Sequence, residues 1–126
     1  MSSVMIIGAS RGIGLGLARH YAADGWRVYA TTRKLKDSGE PGRIDGDVSL
    51  YSLDVRNADQ INALAKDLGD RPIDHLIHSA GVLRGVDRDE MMAVNADAPF
   101  NVVGALFNAV ARSDEKKIAI LTSQMG

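Results

Sequence analysis

Three glycines within one heptapeptide, Gly8-Ala9-Ser10-Arg11-Gly12-Ile13-Gly14, constrain this chain more than any other feature. They follow the apolar run Val4-Met5-Ile6-Ile7 and lead into Leu15-Gly16-Leu17-Ala18-Arg19-His20-Tyr21-Ala22, whose pattern is helical. Strand, glycine turn and helix in that order make a cradle for a phosphate. Glycine lets the backbone turn sharply and come close to a pyrophosphate, while the first N–H groups of the helix and the positive end of its dipole face the anion. The spacing is G-x-x-x-G-x-G rather than G-x-G-x-x-G, and the same physics serves both. A strand-to-helix turn without a ligand is the alternative that the glycines alone leave open.

Composition narrows the class. With 126 residues, 45% hydrophobic and 25% charged, the chain has the make-up of one globular domain with a single core. A net charge of -1 gives no reason to expect nucleic acid or an anionic membrane as a partner. Cysteine is absent, so there is no disulfide framework, thiolate chemistry or cysteine-based metal site, which fits a cytoplasmic location. His20, His75 and His78 are scattered, and no metal is expected. Met1-Ser2-Ser3 runs straight into the first strand, leaving no room for a signal peptide, and no apolar stretch is long enough to span a bilayer.

Short apolar runs alternate with helical periods, which predicts an α/β fold of strand-helix-strand units around a parallel sheet. Strands are expected at 4–7, 27–32, 49–55, 73–78 and 117–122, and helices at 13–23, at 58–68 and from Glu90 to Arg112. Asp24-Gly25 stops the first helix and Asn57 caps the second. Residues 33–47 carry Gly39, Pro41, Gly42 and Gly46 and read mostly as loop, where a doubly wound fold usually places a helix.

The segment after the second strand bears on which dinucleotide fits. A carboxylate about 20 residues past the glycines holds the ribose 2'-hydroxyl of NAD, whereas a nearby arginine accommodates the 2'-phosphate of NADP. Here the chain reads Thr31-Thr32-Arg33-Lys34, with no carboxylate. Arg33 can fork onto a phosphate, and Arg11 inside the glycine turn can reach the same group. Charge-assisted hydrogen bonds of ~1.5–3 kcal/mol would favour NADP(H) over NAD(H) by very roughly 10–100-fold. Two solvated surface cations are the alternative.

Pro99 adds a constraint of its own. In a continuous helix the carbonyl of Asn95 would accept the N–H of residue 99, and proline has none. An open carbonyl beside a cofactor cleft is a place for an ordered water, and a kink that serves packing alone is the alternative.

Through to Gly126, the chain resembles the short-chain dehydrogenase/reductase family. The C-factor-type carbonyl reductase branch is most similar, on Arg71-Pro72-Ile73-Asp74-His75-Leu76-Ile77 and Thr122-Ser123-Gln124-Met125-Gly126. The resemblance implies a Rossmann-type doubly wound parallel sheet of order 3-2-1-4-5 and one NADP(H)-binding domain over residues 1–126. Gly8, Ser10, Arg11, Gly12, Ile13 and Gly14 would bind the cofactor together with Arg33; Asp54 would take the adenine amine, with the backbone of Val55 beside it. His78-Ser79-Ala80-Gly81 falls where the family usually has Asn-Asn-Ala-Gly. Ala80 and Gly81 match and would pass close to the ribose; His78 and Ser79 do not match, and His78 is expected to be a satisfied histidine at a strand end. Val94-Asn95 resembles the segment whose asparagine holds a proton-relay water. Ser123 matches the serine that hydrogen-bonds the substrate carbonyl and stabilises charge developing on oxygen as hydride arrives.

The implied reaction is hydride transfer between NADP(H) and a small-molecule carbonyl or alcohol. The family's general acid is the tyrosine of a Tyr-x-x-x-Lys pair beyond the serine, one helical turn apart. Tyr21, Tyr29 and Tyr51 are followed four positions later by Gly25, Arg33 and Val55, so none supplies the pair. Loss of proton donation lowers rates by ~10²–10⁴-fold, so the chain as written is expected to be a truncated reductase, catalytically dead or nearly so. A non-catalytic dinucleotide-binding module or partner protein is the alternative. The sheet is then incomplete on its C-terminal side, with strand 117–122 an exposed edge and Val102, Val103, Leu106, Phe107 and Val110 without their next helical neighbour. The oligomeric state stays open, a homo-oligomer through the helix from Glu90 to Arg112 being one option.

Overall fold

Val4, Met5, Ile6 and Ile7 are completely buried, the mark of a strand covered on both faces. They belong to β1 (Ser3–Ile7), the middle strand of a five-stranded sheet in a computed structural model that describes residues 2–10, 12–33, 43–79 and 98–121. Then come α1 (Gly12–Ala23), β2 (Arg27–Thr32), β3 (Val48–Ser52), α2 (Ala58–Leu68), β4 (His75–His78), α3 (Ala98–Ala111) and β5 (Lys117–Ile120). All paired strands are parallel and the order is β3-β2-β1-β4-β5, the doubly wound order expected from the sequence.

Side-chain alternation along the strands sorts the core into two layers. Met5, Ile7, Tyr29 and Leu76 pack on one face with Ile61, Leu64 and Leu68 of α2 and Val102, Leu106 and Val110 of α3. Val4, Ile6, Val28, Ala30 and Ile77 pack on the other against Ala18 and Ala22 of α1. The helix residues expected to lie bare are therefore mostly core: Val102, Leu106 and Val110 are buried and Val103 half-buried against them. Periodicity identified the apolar face of α3 correctly but assigned it the wrong neighbour. The apolar side chains that α3 does expose are Phe100, 79% accessible, and Phe107, 56% accessible. β5 is the sheet edge among the described residues, with Ile118 and Ile120 exposed, as anticipated.

Local hydrogen bonding explains where element ends differ from expectation. β3 stops at Ser52 rather than residue 55 because Leu53 N–H makes the last bond to the Thr32 carbonyl (2.8 Å) and Asp54 N–H turns to the Gln60 side chain (2.7 Å). α2 has the bounds read from the sequence: the Asn57 side chain accepts the Gln60 N–H at 3.1 Å, and Gly69 closes the helix at φ 63. Of the helix expected from Glu90 to Arg112, the described part is Ala98–Ala111, which includes Pro99. Within 33–47, the described residues 43–47 form neither α-helix nor strand. Among the described residues no helix is long and apolar enough to cross a membrane.

One buried carboxylate locks the N-terminal edge of the sheet. Asp74 accepts the Ser3 N–H on Oδ2 at 2.9 Å and the Asp114 and Glu115 N–H groups on Oδ1 at 3.2 Å each, while Ser3 Oγ donates to the Pro72 carbonyl at 2.8 Å. Burial by itself would raise the Asp74 pKa; the three amide bonds, from Ser3, Glu115 and Asp114, and the nearby His75 outweigh it and hold the carboxyl below its usual range. This strut joins the start of β1 to the turn that delivers β5 beside β4. Asp74→Ala should lower stability by about 3 kcal/mol at pH 7, because charged hydrogen bonds are lost and buried amides are left unpaired. The depressed pKa means the contribution is full above the unfolded value of about 3.9 and fades as pH falls through the folded value, so the gap between wild type and variant should close in acid. Urea unfolding at a series of pH values from neutral to acid checks this; a gap independent of pH would contradict it.

Candidate dinucleotide site

The glycine turn is tight on its inner side and open on its outer side. The chain leaves β1 at Gly8, where φ is 90, a conformation that side chains rarely adopt. A Cβ at Gly14 would run into the Gly8 carbonyl oxygen and would sit 3.0 Å from the Gly8 carbonyl carbon and 3.3 Å from Ala9 Cα. Only glycine lets α1 start so close to the strand it follows. At Gly12, by contrast, a Cβ would meet nothing within 4 Å, and Ile13 is 69% exposed. In its first turn α1 leaves N–H groups without helical partners, at the positive end of the helix dipole. A helix start of this kind favours an anion.

Thr31, which the sequence reading passed over, holds the turn from behind. Its buried hydroxyl accepts the Gly8 N–H at 3.0 Å, and its carbonyl accepts the Ala9 N–H at 2.8 Å. A threonine in a strand is common for packing reasons, so its type alone carried no signal.

Farther along the same edge stands the candidate ribose-reading region. Arg33 is exposed just past β2, and its carbonyl accepts Ser52 Oγ at 3.3 Å, which ties it to the end of β3. Asp54 accepts Arg56 N–H at 3.0 Å and Arg56 Nε–H at 3.2 Å on Oδ1, and Arg56 Nη2–H at 3.3 Å on Oδ2. Its desolvation favours a higher pKa, but the Arg56 hydrogen bonds and the charges of Arg56 and Arg33 prevail, so the carboxyl stays below its usual range. Asp54 is thus an anion already engaged by Arg56, standing within electrostatic reach of Arg33. It borders a groove of about 500 Å³ lined also by Arg56, Asn57, Ala58 and Asp59. Val55 is buried in the α2 layer.

His78 departs from expectation. It ends β4, is fully buried, and its Nε2 has no hydrogen-bond partner among the described residues. Alternation puts it on the same sheet face as Leu76 and Ile7, the apolar layer under α2 and α3, where few polar partners exist. Burial pushes its pKa down, so the ring is neutral at pH 7.

The fold therefore brings Gly8, Ser10, Gly12, Ile13, Gly14, Arg33, Asp54 and Val55 to the C-terminal edge of the strands, the edge at which open α/β sheets bind ligands. Arg11, Ala80, Gly81, Asn95 and Ser123 lie outside the described residues. No group of three potential metal ligands occurs among the described residues.

A family model for short chain dehydrogenase matches residues 2–126. Estradiol 17-beta-dehydrogenase 1 of Rattus norvegicus is 34% identical over 115 residues, which cover 82% of this chain and 33% of that protein. A solved carbonyl reductase of Pseudomonas aeruginosa superposes with a TM-score of 0.83 at 32% identity, covering 99% of this chain and 63% of that one. The Pseudomonas aeruginosa carbonyl reductase in complex with NADP gives a TM-score of 0.81 at 29% identity over 99% of this chain and 62% of that one. The chain spans about a third of the curated relative and less than two thirds of these solved chains.

Two glycines of α1 separate the steric account from ordinary helix propensity. Gly14→Ala should lower stability by about 1–3 kcal/mol through the clash with the Gly8 carbonyl. Gly16→Ala, at an exposed helical position where a Cβ meets nothing within 4 Å, should raise it by about 0.5–1 kcal/mol. Urea midpoints of the two variants check this, and a shift of the same sign in both would contradict it.

Proposed function

The chain belongs to the short-chain dehydrogenase/reductase family of nicotinamide-dependent oxidoreductases, and we propose that residues 1–126 act as one unit that seats NADP(H) across the C-terminal edge of its sheet. The observation that carries this reading is the glycine turn, with Gly14 closed against the Gly8 carbonyl and open space where a Gly12 Cβ would stand. The first amides of α1 would hold the diphosphate. Arg33, and Arg11 from within the turn, would pair with the 2'-phosphate, and the absence of a carboxylate at the end of β2 favours NADP(H) over NAD(H). The NADP complex of the Pseudomonas aeruginosa carbonyl reductase supports the same choice. Asp54 and Val55 would meet the adenine, and Ala80 and Gly81 would pass the ribose.

Bound there, the nicotinamide would supply or accept the hydride for a small-molecule carbonyl or alcohol. Ser123 would hydrogen-bond the substrate oxygen and stabilise its developing charge, and Asn95 would hold the relay water. Tyr-x-x-x-Lys does not occur in the 126 residues, so the proposal assigns them nucleotide binding rather than turnover on their own. Phe100 and Phe107 on the outer face of α3 support self-association through this helix. The cysteine-free composition supports a cytoplasmic setting.

Arg33→Ala should weaken NADPH binding by roughly 10–100-fold and leave NADH affinity unchanged. Titration calorimetry of both nucleotides on wild type and variant checks this. An equal loss for both, or none for NADPH, would overturn the 2'-phosphate assignment.

A further inference from the structure

Thr31 takes both of the first two amides of the glycine turn. Its hydroxyl accepts the Gly8 N–H at 3.0 Å and its carbonyl accepts the Ala9 N–H at 2.8 Å, from a β2 position that pairs directly with Ile7 of β1. Two peptide planes are fixed in this way. The plane between Ile7 and Gly8 is held by the side chain. The plane between Gly8 and Ala9 is held by the Thr31 carbonyl at its N–H and abuts Gly14 at its oxygen. The orientation of the Gly8 carbonyl sets how close Gly14 lies, and hence where the first turn of α1 directs its unpaired amides.

Two consequences follow for a bound dinucleotide. The Gly8 and Ala9 N–H groups are committed to Thr31 and do not contact phosphate, so the anion is left to the amides farther on, at the start of α1. Thr31 also stands two residues before Arg33, with Leu53 N–H bonded to the Thr32 carbonyl between them, so one stretch of strand is bonded both to the diphosphate seat and to the ribose-reading end. We propose that Thr31 is a positioning residue for the dinucleotide, whose hydroxyl sets the glycine turn and thereby the diphosphate-binding amides. The proposal rests on the dinucleotide-binding reading above. Valine matches threonine in shape and strand preference but cannot accept a hydrogen bond, so it isolates the hydroxyl.

Thr31→Val should raise the Kd for NADPH and for NADH by the same factor, about five- to tenfold, because the diphosphate is common to both. Thr31→Ser, which keeps the acceptor, should bind both nearly as wild type does. Ser3→Ala, which removes one hydrogen bond at the opposite edge of the sheet, should lower Tm without moving either Kd. Calorimetry well below the Tm of each variant, with folding verified by circular dichroism, provides the readout. Wild-type affinity in folded Thr31→Val, or a loss confined to NADPH, would overturn the positioning role while leaving dinucleotide binding intact. Failure of the wild type to bind either nucleotide would overturn the binding reading and this inference with it.

Discussion

The contact between Gly14 and the Gly8 carbonyl is the constraint on which the site and much of the fold depend. A strand that must hand over to a helix running back across it has to reverse within a few residues. Here the reversal is possible because no Cβ separates the first turn of α1 from the end of β1. With α1 drawn in, the small side chains of Ala18 and Ala22 pack on Val4, Ile6, Val28 and Ala30, with Leu17 and Tyr21 at the margin of the same cluster. The same approach leaves the helix N-terminus at the level of the strand ends, on the same sheet edge as Arg33 and Asp54. Tight packing inside and an exposed helix start outside are two results of one close contact.

Hydrogen bonds brace both ends of the sheet. At the N-terminal edge polar groups are fully employed: Asp74 takes three amides, and His75 bridges Tyr21 OH at Nδ1 (2.9 Å) and Glu115 at Nε2 (3.0 Å). A carboxylate only accepts, so Nε2 of His75 donates to Glu115, and in the neutral ring Nδ1 accepts from the Tyr21 hydroxyl. Three residues later in the same strand, His78 is buried with its Nε2 unpaired among the described residues. The C-terminal edge is bonded as well: Thr31 takes the Gly8 and Ala9 N–H groups, and Asp54 takes the N–H groups of Arg56.

Much of this architecture was legible in the residues because local chemistry and global fold agree. The glycine turn, the alternation of apolar runs with helical periods and the Asn57 cap point to the observed order and to the bounds of α2. The misreadings share one cause, which is that a sequence shows what a side chain is but not what it meets. β3 ends early because the Gln60 side chain captures Asp54 N–H. Val102, Leu106 and Val110 are apolar whether they face α2 and the sheet or a missing helix. Nor could composition tell that Asp54 is held by Arg56, that His78 lacks a partner at Nε2, or that Thr31 rather than another polar residue would brace the turn.

The central claim is that the α1 amides beyond Gly8 and Ala9 receive the diphosphate of a dinucleotide. Amide chemical shifts of nitrogen-15-labelled protein titrated with NADPH test it residue by residue. The account predicts that Gly12, Ile13, Gly14 and Arg33 move together with one saturating affinity, while His75, Lys117 and Ile118 at the far end of the sheet stay in place. Shifts that cluster around His75 and β5, or no saturable shift at the glycine turn, would contradict it.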